Sequence, residues 1–334
     1  MAAPAATRDV VAIGNAIMDL VADVDDDFVA QHGFERGRMI LGSQPDALAV
    51  SAKLQAAHQV AGGSAANTAV GVAALGGTAA FLGRCADDPM GRAFRDSLEA
   101  AGVAHPIDFG PPDPPTGRSI ILVSPDHERS MMTFPGAAAT LARNHLTPAH
   151  VTDGATLFIE GYLFYAECTA QAALAAAAWG DAHGSTVALS LSDPNCVEHN
   201  REQLLDLVRS RIDLLFANEE EVTGLYRTRD FREAAAAAAA DVQIAFLTRG
   251  SAGAVVAHDG RVDAVPAAGV PGGIEDLTGA GDLFAAGTLF GLRRGLEPPQ
   301  AARVGAACAA EIIGHHGARP EADLQELVAS AGLL

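Results

Sequence analysis

Short apolar runs alternate with stretches of helical spacing along most of this chain. Val10-Val11-Ala12-Ile13 is an unbroken apolar run ending at Gly14, and it predicts a buried strand. A second apolar stretch, Ile17 to Val21, is interrupted by Asp19. The acidic turn Asp23, Asp25, Asp26, Asp27 precedes a short helix, Phe28 to His32. Ala69 to Leu75 predicts a helix packed through small residues, Thr78 to Gly83 a strand, and the segment after Met90 a helix reaching about Ala101. From Ala155 onward strand and helix alternate. Leu157-Phe158-Ile159, Val187 to Leu191, Leu214-Leu215-Phe216 and Ile244 to Leu247 read as strands. Cys168 to His183, Glu202 to Arg209, the segment from Ala217 and Phe231 to Ala240 read as helices, and Ala254 to Ala257 and Arg261 to Val265 close the series as strands. Leu283, Phe284, Leu289, Phe290 and Leu292 fall on one helical face, with Gly295 where a cap belongs and Pro298 and Pro299 just beyond.

This order predicts an α/β fold with a doubly wound, mostly parallel sheet flanked by helices. In such sheets ligands bind at the C-terminal ends of strands. Asp193, Asn218 and Thr248 fall at such ends. One segment breaks the alternation. After a Pro-rich stretch, 111–115, the strands Arg118 to Val123 and Ser130 to Phe134 flank a polar turn, and this hairpin reads as an insertion or flap. No internal repeat is visible.

Composition narrows the function classes. The 334 residues are 49% hydrophobic, enough for one large α/β domain or two ordinary ones. The formal net charge of -19, from 22 basic and 41 acidic residues, argues against a nucleic-acid surface or an anionic membrane as partner. Any polyphosphate must then be held by helix ends, a metal and a few local cations. Cys85, Cys168, Cys196 and Cys308 lack metal-like spacing and read as reduced thiols of a cytoplasmic protein. The start, MAAPAATRDV, has no apolar run after a basic segment and does not read as a signal peptide.

Two glycine-rich turns carry the candidate chemistry. In Asp276-Leu277-Thr278-Gly279-Ala280-Gly281-Asp282, two acids bracket a tight turn at the head of a helix. The amides of Gly279, Ala280 and Gly281 would point out of a positive helix end, where small residues let an anion approach. Asp282 would be repelled by a bound phosphate, so its place at the rim suits work on a proton. Gly62-Gly63-Ser64-Ala65-Ala66-Asn67-Thr68 opens a second helix; no Lys follows, so it is not a P-loop. Asn67 can donate and accept, which suits a hydroxyl pair. Asp19 has two readings: an outward residue on a half-exposed strand, or a carboxylate held ready for a polyol, since burying it unpaired is costly.

With these residues in view, the chain resembles the ribokinase-like, or PfkB, family of carbohydrate and nucleoside kinases over essentially its whole length. Asp276 to Asp282 is similar to the D-[TS]-x-G-A-G-D signature, with Leu277 where Thr or Ser is usual. Gly62 to Asn67 is similar to the family's first signature. Asn218-Glu219-Glu220-Glu221 matches N-x-x-E, and Thr248 to Gly253 matches T-x-G-x-x-G. The resemblance implies a single ribokinase-like domain over 1–334 with a small β lid, built from about 16–45 and 112–136. It implies Asp282 as general base and Gly279, Ala280 and Gly281 as anion hole. It implies ATP contacts at Asn218, Thr248, Gly250 and Gly253, and Glu221 ordering Mg²⁺ through water. Asn15, Asp19, Gly63 and Asn67 are implied to hold the substrate. For Arg129, at the end of the hairpin turn, a solvated position is expected over a phosphate contact.

G-N-x-x-x-D at Gly14 to Asp19 resembles the adenosine-kinase branch more than ribokinase. The expected activity is ATP-dependent phosphorylation of the primary, 5′-type hydroxyl of a nucleoside, adenosine first. A sugar kinase acting on ribose, fructose or a keto-deoxy sugar acid is the alternative within the class, and a non-catalytic nucleoside-binding regulatory protein the alternative outside it. The expected partners are a small nucleoside or sugar and ATP, in a monomer or homodimer. Assistance by K⁺ stays open.

Overall fold

A computed structural model describes residues 8–54, 57–126, 128–151 and 156–334. Residues 1–7, Ala155 at the start of the expected alternation and His127 in the hairpin turn lie outside it.

The four residues Val10–Ile13 are fully buried, as an apolar run without alternation demands when both sheet faces are covered. They sit near one edge of an eight-stranded sheet. In spatial order its strands are Arg261–Val265, Ala254–His258, Ile244–Thr248, Leu214–Asn218, Thr186–Ser190, Thr156–Glu160, Val10–Ile13 and Ala79–Leu82. The pairings from Ile244–Thr248 to Ala79–Leu82 are parallel, and the first two strands in this order pair antiparallel. Successive side chains feed opposite faces. Val11, Ile13, Leu157 and Ile159 join one core, while Val10, Ala12 and Phe158 join the other. Fully burying each apolar side chain of this size contributes about 1.5–3 kcal/mol.

A second sheet of five strands runs in the order Met39–Leu41, Arg129–Gly136, Thr116–Val123, Ile17–Asp23, His58–Ala61. The stretches 16–45 and 112–136 supply four of these strands, and His58–Ala61 extends the sheet beyond them. Ile120, Leu122 and Met132 on one face pack under Val29, Ala47 and Val50 of two short helices. Val21, Ile121 and Val123 face the other way, with Met131 against them. The Gln44–Ser51 helix starts with a capping box between Ser43 and Asp46.

Several segments differ from the sequence expectation, among them the strand Arg84–Ala86 where a turn is expected. The helix expected over Glu202 to Arg209 is preceded, across a kink at Asn200 (φ -117°), by a helical segment from Pro194 that Asp193 caps by accepting from the Cys196 amide at 3.0 Å, the whole running to Arg211. The helices Pro298–Ile312 and Leu324–Ser330 complete the chain, and the first packs along the Ala280–Arg293 helix. All four cysteines are free thiols. Among the described residues, no helix is long and apolar enough to cross a membrane.

Candidate active site

A cavity of about 570 Å³ opens between the C-terminal ends of the parallel strands and the inner face of the five-stranded sheet. Asn15, Asp19, Gly63, Asn67, Asn218, Glu221, Thr248, Gly250 and the Gly279–Asp282 turn all line it.

Gly279 adopts a left-handed backbone, φ 77°, that glycine takes without strain. A Cβ there would also lie 2.9 Å from the Cβ of Ala318. The helix Ala280–Arg293 that follows has no side-chain cap, and the Ala280 amide makes only a 3.4 Å contact to the Leu277 carbonyl. A Cβ at Gly281 would meet nothing within 4 Å. Its helix end therefore faces open space with donors to spare, which is the form of an anion site.

Asp276 is fully buried at the head of this turn. Its Oδ1 accepts from the Thr278 amide (2.8 Å) and hydroxyl (2.6 Å), and its Oδ2 accepts from the Gly317 amide (2.9 Å). Thr278 thus supplies the hydroxyl of the motif. Leu277 is 53% exposed and offers the turn no side-chain hydroxyl. Arg129 corrects the expectation of a solvated turn residue. It begins the Arg129–Gly136 strand, its Nε lies 2.6 Å from Asp276 Oδ1, and it donates to the Thr278 hydroxyl. Its side chain is only 11% exposed, because the strand carries it from the second sheet down onto the anion turn. A buried carboxylate draws a cation, and an unpaired one would be costly. Arg38, just before the Met39–Leu41 strand, reaches two helix starts on the other side, donating to Asn195 Oδ1 at 3.1 Å and Glu220 Oε1 at 3.0 Å.

Asp282 is held at both oxygens. Ser64 Oγ donates to Oδ1 at 2.7 Å and Asn67 Nδ2 donates to Oδ2 at 2.9 Å. Burial raises its pKa, while the bonds from Asn67 and Ser64 and the charges of Arg319 and Arg129 oppose that rise. A carboxylate so fixed keeps lone pairs for a further proton. Asn67 uses one of its two Nδ2 hydrogens here. Its Oδ1 is buried without a partner among the described residues and is available to accept from a substrate hydroxyl.

Asp19 is 7% exposed, against the reading of an outward strand residue. No hydrogen-bond partner of its carboxylate is found among the described residues. It lies flat on Gly62, where a Cβ would sit 1.9 Å from Oδ2. Burial pushes its pKa up to about 7, with Arg319 pulling down and Asp282 pushing up. Gly63 turns beside it with φ 86°, and a Cβ there would lie 2.5 Å from the Asn15 carbonyl.

Asn15 is placed by Glu160, a residue the sequence reading did not single out. Glu160 is 1% exposed at the end of its strand. Its Oε1 accepts from the Asn15 amide (2.6 Å) and side chain (2.8 Å), and its Oε2 accepts from the Ala65 amide (2.8 Å). Burial lifts its pKa to about 7 against these bonds.

On the far side of the cavity, Asn218 and Glu221 form a capping box at the Glu219–Tyr226 helix. Asn218 Oδ1 accepts from the Glu221 amide (2.8 Å), and the two Glu221 oxygens accept from the Asn218 amide (2.9 Å) and Nδ2 (2.7 Å). That box alone accounts for the N-x-x-E spacing. Glu221 is 5% exposed, and burial raises its pKa to about 7. Thr248 ends its strand and Gly250 follows at the cavity wall. Gly253 does not line the cavity. Its φ of 84° and a hypothetical Cβ 2.1 Å from the Val265 carbonyl fit the tight turn between the Ile244–Thr248 and Ala254–His258 strands.

Four further residues belong to the site without having been legible as such: Ser64, Thr278, Glu160 and Arg319. The first two lie inside the glycine-rich motifs, so the motifs themselves were the signal. Glu160 follows the apolar run Leu157–Ile159, as Asp19 interrupts another, and a lone acid there could have marked it. Arg319 lies in a Gly- and Pro-rich loop that carries no local signal.

Comparison with known proteins agrees with this geometry. The model of the pfkB family carbohydrate kinases matches residues 7–324. A fructokinase of Klebsiella pneumoniae is 32% identical over 246 residues, 70% of this chain and 77% of that one. A probable sugar kinase of Rhizobium etli CFN 42 superposes with a TM-score of 0.95 at 37% identity, over 98% of this chain and 99% of that one. An adenosine kinase of Sinorhizobium meliloti superposes with a TM-score of 0.93 at 38% identity, over 98% of this chain and 100% of that one. The chain belongs to the pfkB family of carbohydrate kinases, and it is a phosphotransferase with an alcohol group as acceptor rather than a non-catalytic binding protein.

Proposed function

We propose that this kinase transfers the γ-phosphoryl group of ATP to the primary, 5′-type hydroxyl of a nucleoside, with adenosine the preferred acceptor. One observation carries the nucleoside reading. The unpaired carboxylate of Asp19 faces the same cavity as an apolar wall of Met39, Leu41, Ile121 and Met131 from the five-stranded sheet. A carboxylate accepts from two vicinal hydroxyls, and an apolar wall suits a flat base better than a bare polyol. The likeness to an adenosine kinase over the full chain supports it.

The roles of the residues follow. Asp19 and Asn67 Oδ1 hold the ribose hydroxyls, and Asn15 and Gly63 line their seat. Asp282 takes the proton of the 5′-type hydroxyl as its oxygen attacks the γ-phosphorus and the bond to the β-phosphate bridging oxygen breaks. The amides of Gly279, Ala280 and Gly281 receive the charge on the transferring group. Arg129 adds a cation beside that turn when the five-stranded sheet, acting as a lid, is closed.

Among the described residues, no group of three or more His, Cys, Asp or Glu side chains could hold a metal. That fits Mg²⁺, which keeps several waters and takes ligands from phosphates plus one or two carboxylates. Glu221 orders its waters, Asn218, Thr248 and Gly250 flank the nucleotide, and Mg²⁺ neutralises phosphate charge when bound. A free sugar is the second reading, favoured by the fructokinase likeness. A thermal-shift screen of nucleosides against ribose, fructose and keto-deoxy sugar acids tests the choice, since a ligand of the native state raises its stability. Adenosine should give the largest shift; a larger shift with any free sugar contradicts the nucleoside reading.

A further inference from the structure

Arg319 reaches the substrate turn from behind. It lies on the loop between the Pro298–Ile312 and Leu324–Ser330 helices. Its Nε donates to the Ala61 carbonyl at 3.1 Å and its Nη1 to the Ala66 carbonyl at 3.3 Å. Those carbonyls flank Gly62, on which Asp19 lies, and Ser64, which holds Asp282. The third nitrogen, Nη2, is buried and has no hydrogen-bond partner among the described residues. An Arg nitrogen left unpaired in a fold that pairs the other two is costly unless charge compensates it. The compensating charges are Asp19 first and Asp282 second.

The loop that delivers this side chain is itself tied down. The Gly317 amide donates to Asp276, and the amides of Glu321 and Ala322 donate to Glu311 Oε1 at 3.0 and 2.8 Å. Such anchoring fits a side chain that must arrive at one place. Burial lowers the Arg319 pKa to about 10, which leaves it charged at neutral pH.

We propose that Arg319 is a positioning residue for substrate specificity: it staples the Ala61–Ala66 turn and supplies the countercharge under which Asp19 binds the acceptor's vicinal hydroxyls. This rests on the reading of Asp19 as the diol-binding group. The charges facing Asp19 are Arg319 from this loop, Asp282 from the Ala280–Arg293 helix, Arg129 from the lid strand and Asp276 from the anion turn. Arg319 is the first of the two cations to act on it. Removing it raises the proton affinity of Asp19, so the acid side of the activity profile moves to higher pH.

The test compares R319Q and R319K with wild type in kcat/KM against pH, using adenosine and 2′-deoxyadenosine. R319Q should raise KM for adenosine more than it lowers kcat. It should move the acid limb of kcat/KM up by about one pH unit, a tenfold change in proton affinity. It should also shrink the preference for adenosine over its 2′-deoxy form. R319K keeps the cation but loses the paired bonds to Ala61 and Ala66, so its limb should stay where wild type has it. A limb unmoved in R319Q, or moved as far in R319K, overturns the proposal. Should R319Q not fold, R319M, which also removes the cation, takes its place in the same profiles. Wild-type turnover separates the two ideas: a wild-type enzyme with no preference for the diol contradicts the reading of Asp19 itself, whatever the variants do.

Discussion

Asn67 donates from Nδ2 to Asp282 Oδ2 across 2.9 Å, so the Ser64–Ala74 helix also aims the carboxylate we propose as the base. With Ser64 on the other oxygen, the carboxylate has one orientation and a lone pair left toward the cavity. The proposed substrate seat and proton acceptor are thereby joined by direct hydrogen bonds.

Asp282→Asn keeps the shape but cannot take the proton. Its amide nitrogen would also confront a donor from Ser64 or Asn67. We expect kcat to fall about 10²–10⁴-fold, with nucleoside affinity little changed. Steady-state kinetics beside a thermal shift reads both, and a variant keeping more than a tenth of wild-type kcat would remove Asp282 from the role of base.

Glu221→Gln separates capping from metal work. Glutamine still accepts from the Asn218 amide, so the helix start should persist, but its NH₂ then faces Asn218 Nδ2 and the melting temperature should drop modestly. The neutral side chain orders hydrated Mg²⁺ poorly, so the Mg²⁺ concentration at half-maximal rate should rise and kcat should drop. Unchanged Mg²⁺ dependence with unchanged turnover leaves Glu221 a capping residue only.

The pH profile follows from two buried acids. Asp19 must be ionised to accept from hydroxyls, and its pKa stands near 7. Binding therefore weakens as pH falls through 7, and KM for the nucleoside rises on the acid side. Asp282 must also be ionised, and its raised pKa makes kcat fall toward acid as well. A kcat/KM flat from pH 8 down to 5 contradicts both assignments.

Arg129 ties the lid to the anion turn through Asp276 and Thr278. Arg129→Ala leaves the buried Asp276 without that cation, and kcat should fall on the order of 10²-fold or more, as for loss of one charge-stabilising donor. In wild type, hydrogen exchange over 112–136 should slow when nucleoside binds, because the lid then closes over a filled cavity. Equal exchange with and without saturating nucleoside would make the hairpin a static part of the fold.

Much of this was legible in the sequence because local signals and tertiary roles coincided. The run Val10–Ile13, the Gly279–Asp282 turn and the Asn218–Glu221 spacing each have a local cause that the fold keeps. Gly253 shows the ambiguity of such signals, since a turn glycine of positive φ and a phosphate-approach glycine look alike in sequence. Arg129 misled because a polar turn predicts solvent, whereas the strand that begins there points it at a buried acid. Arg319 was invisible for a deeper reason. Its partners Ala61 and Ala66 lie more than 250 residues away, at separations of 258 and 253, and offer only backbone carbonyls.

The nucleoside assignment is tested most directly by kcat/KM for adenosine, 2′-deoxyadenosine, ribose and fructose, measured with ATP in wild type and in Asp19→Ala. Each lost hydrogen bond to a charged group costs about 1.5–3 kcal/mol. Adenosine should therefore exceed its 2′-deoxy form by about 10- to 150-fold, and Asp19→Ala should erase most of that ratio. Ribose carries the diol without the base and should be far poorer than adenosine. Ribose or fructose phosphorylated as efficiently as adenosine would contradict the nucleoside assignment and make the enzyme a sugar kinase.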